Sequence, residues 1–326
     1  MPKRTVRRGR PGGPGDAVLI TGASTGLGLA TALELAAAGF RVFASVRSAD
    51  SRAAVEQAAR ERDLPIETLQ LDLTDPAQIT VAVQQVVETA GGLYALVNNG
   101  GIGLRGCLED CSDEEIATLF QTNVLGTMTV TRAVLPTMRA AGCGRIVTVS
   151  SVAGRVSGWG VTMYGATKWA QEGFGEGMAQ ELAPFGIQSI LVEPGIIKTE
   201  RWQEHRGTAA RADDRSSPYH DLFWASEAIA DKIVERSPTR PADVGETIVA
   251  ALTAEDPKLR YVVGRGAKVV IALRRHLPQG LFERLYYGGH IRRLERRAGV
   301  PAAAAAPAPA AGPPAPASER ALEDAR

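Results

Sequence analysis

Lysine is scarce in this chain. Of 326 residues, 37 are basic, and only six of those are lysine, with none between Lys3 and Lys168. Cysteine is scarcer: Cys107, Cys111 and Cys143 cannot build a disulfide framework, and three thiols suit a reducing, cytoplasmic setting. Cys107 and Cys111 have no neighbouring His or second Cys pair, so no metal site is expected. A surplus of one charge is missing as well. The net charge of +1 excludes a general attraction to nucleic acid. No apolar run approaches the ~20 residues that span a bilayer. The opening "MPKRTVRRGRPGGPG" is basic but lacks the apolar stretch of a secretory leader.

The composition itself, 44% hydrophobic and 22% charged, suits a globular chain with a sizeable core. Residues 1–15 read as a solvated basic arm, and Pro301 to Ala317 contains only Pro, Ala and Gly, so 298–326 reads as a disordered tail. One domain is expected over 16–297. Within it, short apolar runs alternate with longer Ala-rich stretches. "AVLIT" (17–21), "RVFASV" (41–46), "ETLQLD" (67–72), "YALVNN" (94–99), "RIVTVSS" (145–151), "QSILVEP" (188–194) and "RYVVG" (260–264) read as strands. Helical patterns fill 26–38, 49–62, 76–90, 113–140 and 162–183, and "PADVGETIVAAL" opens another. Strands this apolar, alternating with helices, predict an α/β, doubly wound domain with a mainly parallel seven-stranded sheet. Ligands of such sheets lie at the carboxyl ends of the strands.

"ITGASTGLGLA" follows the first strand and opens the first helix. Gly22, Gly26 and Gly28 let the backbone turn tightly and approach a pyrophosphate, which the helix N-terminus then attracts. Ser24, Thr25 and Leu27 complete that turn. An NAD site usually carries an acid after the second strand, to bind the ribose. Here Val46 is followed by Arg47, and no acid comes before Asp50. Arginine pairs with a 2′-phosphate, so the expected cofactor is NADP, with NAD as the alternative.

Lys168 stands four residues after Tyr164, in "MYGATKWA". On a helix the two share a face. A cation about 5 Å from a phenol, at an effective dielectric of ~20, favours phenolate by roughly 3 kcal/mol, or about two pKa units. That makes tyrosine a usable acid and base for carbonyl–alcohol chemistry. A compact ammonium, unlike a planar guanidinium, fits beside the hydroxyl and also reaches two ribose hydroxyls.

"TGASTGLG" (21–28), "NNGG" (98–101), Asn123 in "QTNVLG", "SS" (150–151), "YGATK" (164–168) and "PGIIKT" (194–199) together resemble the short-chain dehydrogenases/reductases. Their order and spacing match that family across some 180 residues. The resemblance implies a Rossmann domain, hydride transfer between a nicotinamide and a carbonyl or alcohol, and a homo-oligomer. The stretch "SSVAGRVSGWGVTMYGATK" looks most like members acting on steroids, retinoids and other lipophilic carbonyls. Carried over residue by residue, the catalytic set is Asn123, Ser151, Tyr164 and Lys168. Ser151, 13 residues before Tyr164, is the oxygen-orienting serine, with Ser150 as its rival. Asn123 resembles the residue supporting a water that links the lysine to solvent. Pro194, Gly195, Ile197 and Thr199 match the segment holding the nicotinamide carboxamide. Asp72 with Leu73, and Asn99 with Gly100, match adenine and ribose contacts. The family usually has Ala where this chain has Gly100, a loss expected to loosen the strand end.

Residues 200–227 read as a long polar substrate lid carrying Trp202, Tyr219, Leu222, Phe223 and Trp224. Those aromatics either meet an apolar substrate or pack the lid down. His205 and His220 lie there too. Residues 258–297 form a basic extension that could meet an anionic membrane or a second subunit, although a solvated face with a buried apolar stripe is the leading reading. Two rival functions remain. A dinucleotide-binding sensor would need no acid/base set, and a sugar-nucleotide epimerase would reuse the Tyr–Lys pair with a different glycine spacing.

Overall fold

The computed structural model describes residues 9–198 and 206–299. Among the described residues nine strands are formed: β1 (Ala17–Ile20), β2 (Arg41–Val46), β3 (Ile66–Gln70), β4 (Ala95–Asn98), β5 (Gly103–Arg105), β6 (Gly144–Val149), β7 (Ile187–Pro194), β8 (Arg206–Thr208) and β9 (Arg260–Val263). The helices are α1 (Gly26–Ala37), α2 (Ala49–Glu61), α3 (Pro76–Ala90), α4 (Asp113–Phe120), α5 (Thr127–Ala141), α6 (Thr162–Leu182), α7 (His220–Glu235), α8 (Pro241–Thr253), α9 (Arg265–His276), α10 (Gln279–Phe282) and α11 (Gly288–Ala298).

Seven strands make one sheet in the order β3-β2-β1-β4-β6-β7-β9, every pairing parallel. Alternate side chains of each strand enter opposite layers. Val18, Ile20, Val42, Val97, Val147 and Val192 meet α1 and α8 on one face. Leu19, Phe43, Leu96 and Ile146 meet α3, α5 and α6 on the other. Strands buried on both faces must be apolar at nearly every position, which is why they were readable. The strand order reverses at β1 and β4, opening a crevice above their carboxyl ends.

Three features depart from expectation. The single helix expected over 113–140 is divided by a π-helical turn at Gln121–Gly126. Part of the region read as a lid is regular: β8 pairs in parallel with β5, and α7 starts at His220. Phe223 is fully buried against Leu104, Leu119, Ala209 and Ala212, so it packs the domain, whereas Trp224 keeps one face exposed. Trp202 and His205 lie outside the described residues. Finally, the fold begins before Asp16: Gly12 N–H donates to the Leu252 carbonyl at 2.8 Å, and Arg10 sits over the Tyr94 ring.

Two buried charge systems brace this frame. Arg105 on β5 pairs with Glu227 on α7, and also donates to Thr208 on β8. Glu193 at the end of β7 is fully buried, with Arg155 Nη1 at 3.0 Å and Arg260 Nε at 3.3 Å. The Arg260 Nε also reaches Glu172 of α6 at 3.0 Å. Burial, and then the neighbouring Glu172 charge, push the Glu193 carboxyl up, while the two guanidiniums hold it down.

Candidate active site

The glycine turn is packed backbone on backbone. Gly22 and Gly26 have φ of 64° and 56°, a left-handed conformation that favours glycine. A Cβ at Gly28 would lie 2.1 Å from the Gly22 carbonyl oxygen and 2.5 Å from Asn99 Nδ2. A Cβ at Gly22 would lie 2.6 Å from Gly100 Cα. Asn99 Nδ2 donates to the carbonyls of Thr21 and Gly22 at 3.1 and 2.9 Å. Ser45 Oγ accepts from Gly22 N–H at 3.3 Å, which ties the turn to β2. Thr25 gives α1 no side-chain cap, and the positive end of the helix dipole faces the turn, where it attracts an anion. This cradle fits the pyrophosphate of a dinucleotide.

Around it, the other expected cofactor positions gather at strand ends. Arg47 is exposed just beyond β2. The Asp72 carboxylate accepts from Thr74 N–H and Oγ1 at 2.8 and 2.7 Å. These bonds, with a smaller contribution from Arg47, hold its pKa below the ordinary carboxylate range. Gly100 N–H and Asn99 N–H both donate to Thr21 Oγ1, at 2.9 and 3.1 Å. The missing methyl at Gly100 leaves no slack. A Cβ there would meet Leu73 Cδ1 at 2.7 Å, because Leu73 fills the space. Beyond β7, Gly195 N–H donates to the Val263 carbonyl at 2.9 Å, and Ile197 is buried in the core. Pro194 ends the strand, and Thr199 lies outside the described residues.

Tyr164 and Lys168 share one face of α6. The Lys168 ammonium is buried 5.6 Å from the Tyr164 ring centroid and donates to the Val149 carbonyl and Gln171 Oε1, each at 2.9 Å. Burial pushes its pKa down from 10.5 to about 8, and the Glu172 carboxylate one turn on partly offsets this. It therefore remains charged at neutral pH but is poised near neutralisation. Ser151 leaves the end of β6, and its Oγ accepts from Ala153 N–H at 3.1 Å. Ser150 turns inward: a Cβ built at Gly154 would lie 2.9 Å from its buried Oγ.

Asn123 sits in the π-turn, a deformation frequent at functional sites. Its Oδ1 accepts from Ile102 N–H at 2.8 Å, and its Nδ2 donates to the Ile102 carbonyl at 2.9 Å and to Thr167 Oγ1 at 3.3 Å. The side chain thus clamps the loop after β4 to α6. Sequence reasoning missed Thr21, Thr167, Gln171 and Glu172. Gln171 and Glu172 carried a signal, since three or four residues beyond Lys168 is the same helical face; Thr21 carried none.

Similarities to known proteins agree with this arrangement. The short chain dehydrogenase family model matches residues 16–210. Human (Homo sapiens) 17-beta-hydroxysteroid dehydrogenase type 1 is 33% identical, over 81% of this chain and 82% of its own. The 3-ketodihydrosphingosine reductase of Bacteroides thetaiotaomicron is 32% identical, over 83% of this chain and 97% of its own. Among solved structures, the actinorhodin polyketide ketoreductase with NADPH superposes with a TM-score of 0.66 at 29% identity, covering 77% of this chain and 97% of that one. A glycine cradle and a tyrosine–lysine face at the carboxyl ends of one parallel sheet, in a chain that these relatives match over most of its length, make it a member of the short-chain dehydrogenase/reductase family, an oxidoreductase acting on CH–OH groups with NAD(P).

Proposed function

We propose that the protein interconverts a bulky, lipophilic ketone or aldehyde and its alcohol, with NADP as the preferred cofactor. The observation that carries this reading is the buried Lys168 ammonium against Tyr164 at the crevice. Gly22, Ser24, Thr25, Gly26, Leu27 and Gly28 would hold the pyrophosphate, Asp72, Leu73, Asn99 and Gly100 the adenosine side, and Pro194, Gly195 and Ile197 the nicotinamide side. A nicotinamide bound there supplies or takes up hydride. Tyr164 gives a proton to the substrate oxygen in reduction and recovers it in oxidation. Ser151 orients that oxygen, Lys168 sets the acidity of Tyr164, and Asn123 secures the loop beneath.

Arg47, exposed where an NAD site would carry an acid, supports the 2′-phosphate preference, as does the ketoreductase solved with NADPH. The steroid and sphingoid names of the two relatives support a lipophilic substrate. No helix among the described residues is long and apolar enough to cross a membrane. Contact at the membrane surface is supported instead by residues 265–298, which hold nine Arg and Lys against two Glu and expose Val269, Leu273, Leu285, Tyr286 and Ile291. Three free thiols support a cytoplasmic setting. The family's habit of self-association completes the proposal.

The test is a screen of lipophilic ketones and alcohols with NADPH and NADH, following the absorbance of the reduced nicotinamide. Tyr164→Phe should lower kcat on the best substrate by about 10²–10⁴-fold while retaining cofactor binding. A variant keeping most of its turnover refutes the mechanism. Cofactor binding without turnover on any compound favours the sensor.

A further inference from the structure

Gln171 is buried on α6, three residues beyond Lys168, and its amide bonds in two directions. Oε1 accepts from the Lys168 ammonium at 2.9 Å, and Nε2 donates to the Asn123 carbonyl at 2.7 Å. Chemistry fixes this orientation. An ammonium only donates and a carbonyl only accepts, so a flipped amide would oppose like groups at both ends.

The Asn123 carbonyl has two lone pairs, and Thr127 Oγ1 takes the second at 2.9 Å. Both hydrogens of Asn123 Nδ2 are also engaged, by the Ile102 carbonyl and Thr167 Oγ1. The residue expected to support a water between lysine and solvent is therefore filled by protein contacts at its carbonyl and its amide donors. We infer that Gln171 is a positioning residue that links Lys168 directly to the π-turn, holding the ammonium between its own amide and the Val149 carbonyl where a solvent link was expected. The inference rests on Tyr164 and Lys168 being the reacting pair.

The groups around Lys168 make the role testable. Tyr164 and Glu172 face it from α6, and the Val149 carbonyl faces it from β6. Behind Glu172 stand Arg260 of β9, Glu193 of β7 and Arg155 after the turn at Val152–Gly154. Gln171 contributes a neutral acceptor, which favours the charged lysine without adding charge.

Lysine labelled with ¹³C at Cε gives at most six signals, because the chain has six lysines, and Lys168→Met assigns the buried one. In the cofactor-free protein, Gln171→Leu should lower the Lys168 titration midpoint by about one pH unit, for loss of a hydrogen bond to a charged group. Gln171→Glu should raise it, because a carboxylate then faces the ammonium. Gln171→Met replaces the Leu variant if that protein does not fold. The alkaline limb of kcat/KM should move in the same directions. Folded variants whose Lys168 titrates as in the parent, or moves the same way in both, overturn the inference. The NMR result needs no substrate, so it stands apart from Tyr164→Phe. Turnover in that variant sinks the functional reading, whereas an unmoved Lys168 sinks only the role of Gln171.

Discussion

Lys168 is charged where the fold would prefer it neutral, and replacing it with methionine measures that conflict. Its pKa falls from 10.5 to about 8 on folding. A difference of about 2.5 units corresponds to about 3 kcal/mol at 1.36 kcal/mol per unit, without a discount for solvent because the group is buried. The sign follows from proton binding. Between about pH 8 and 10.5 the unfolded chain holds the proton and the native state does not, so the lysine's contribution to stability rises with pH. About 2–3 kcal/mol of the penalty is relieved between about pH 7 and pH 10. Lys168→Met has no such group. It takes one donor from the Val149 carbonyl and from Gln171 Oε1, but that loss is the same at every pH and cancels in a difference. Guanidinium unfolding of both proteins without cofactor, at the two ends of this range, is the assay. The parent should gain about 2–3 kcal/mol on the variant as pH rises, and the variant should have lost turnover throughout. A gap that stays constant within about 1 kcal/mol, or that moves the other way, refutes the buried-charge account.

Two further outcomes follow from the geometry. Gly28→Ala drives a methyl against the Gly22 carbonyl and the Asn99 amide; it should cost at least about 2 kcal/mol in unfolding experiments and abolish quenching of tryptophan fluorescence by NADPH. Arg105→Ala leaves the Glu227 carboxylate buried without this partner, which should cost about 3–5 kcal/mol and lower Tm by several degrees. An Arg105→Met, Glu227→Met double variant, which removes both charges and keeps the volume, should recover most of that stability in the same thermal scan.

The seven strands, the glycine turn and the tyrosine–lysine face were legible because each rests on local pattern. A parallel strand buried on both faces is apolar throughout, and an i,i+4 pair on a helix needs no tertiary information. The π-turn had no such signature. Nothing in "QTNVLG" marks a widened helix; the deformation belongs to the clamp of Asn123 on Ile102, and to Gly126, where a Cβ would lie 2.6 Å from the Leu73 carbonyl oxygen. The β5–β8 pairing joins three-residue strands separated by some hundred positions, too short for periodicity to register. Phe223 fell within a long, polar stretch that reads as a lid, yet α7 turns it into the core. The contacts of Glu193 with Arg155 and Arg260 join three separate elements, so no window of sequence contains them.

Asn99 and Ser45 already hold the glycine turn from the two sides of β1. A loop cross-braced in this way has little freedom left to surrender when a dinucleotide arrives, so docking there costs little ordering entropy. Affinity at such a turn follows from electrostatics and fit more than from ordering of the loop.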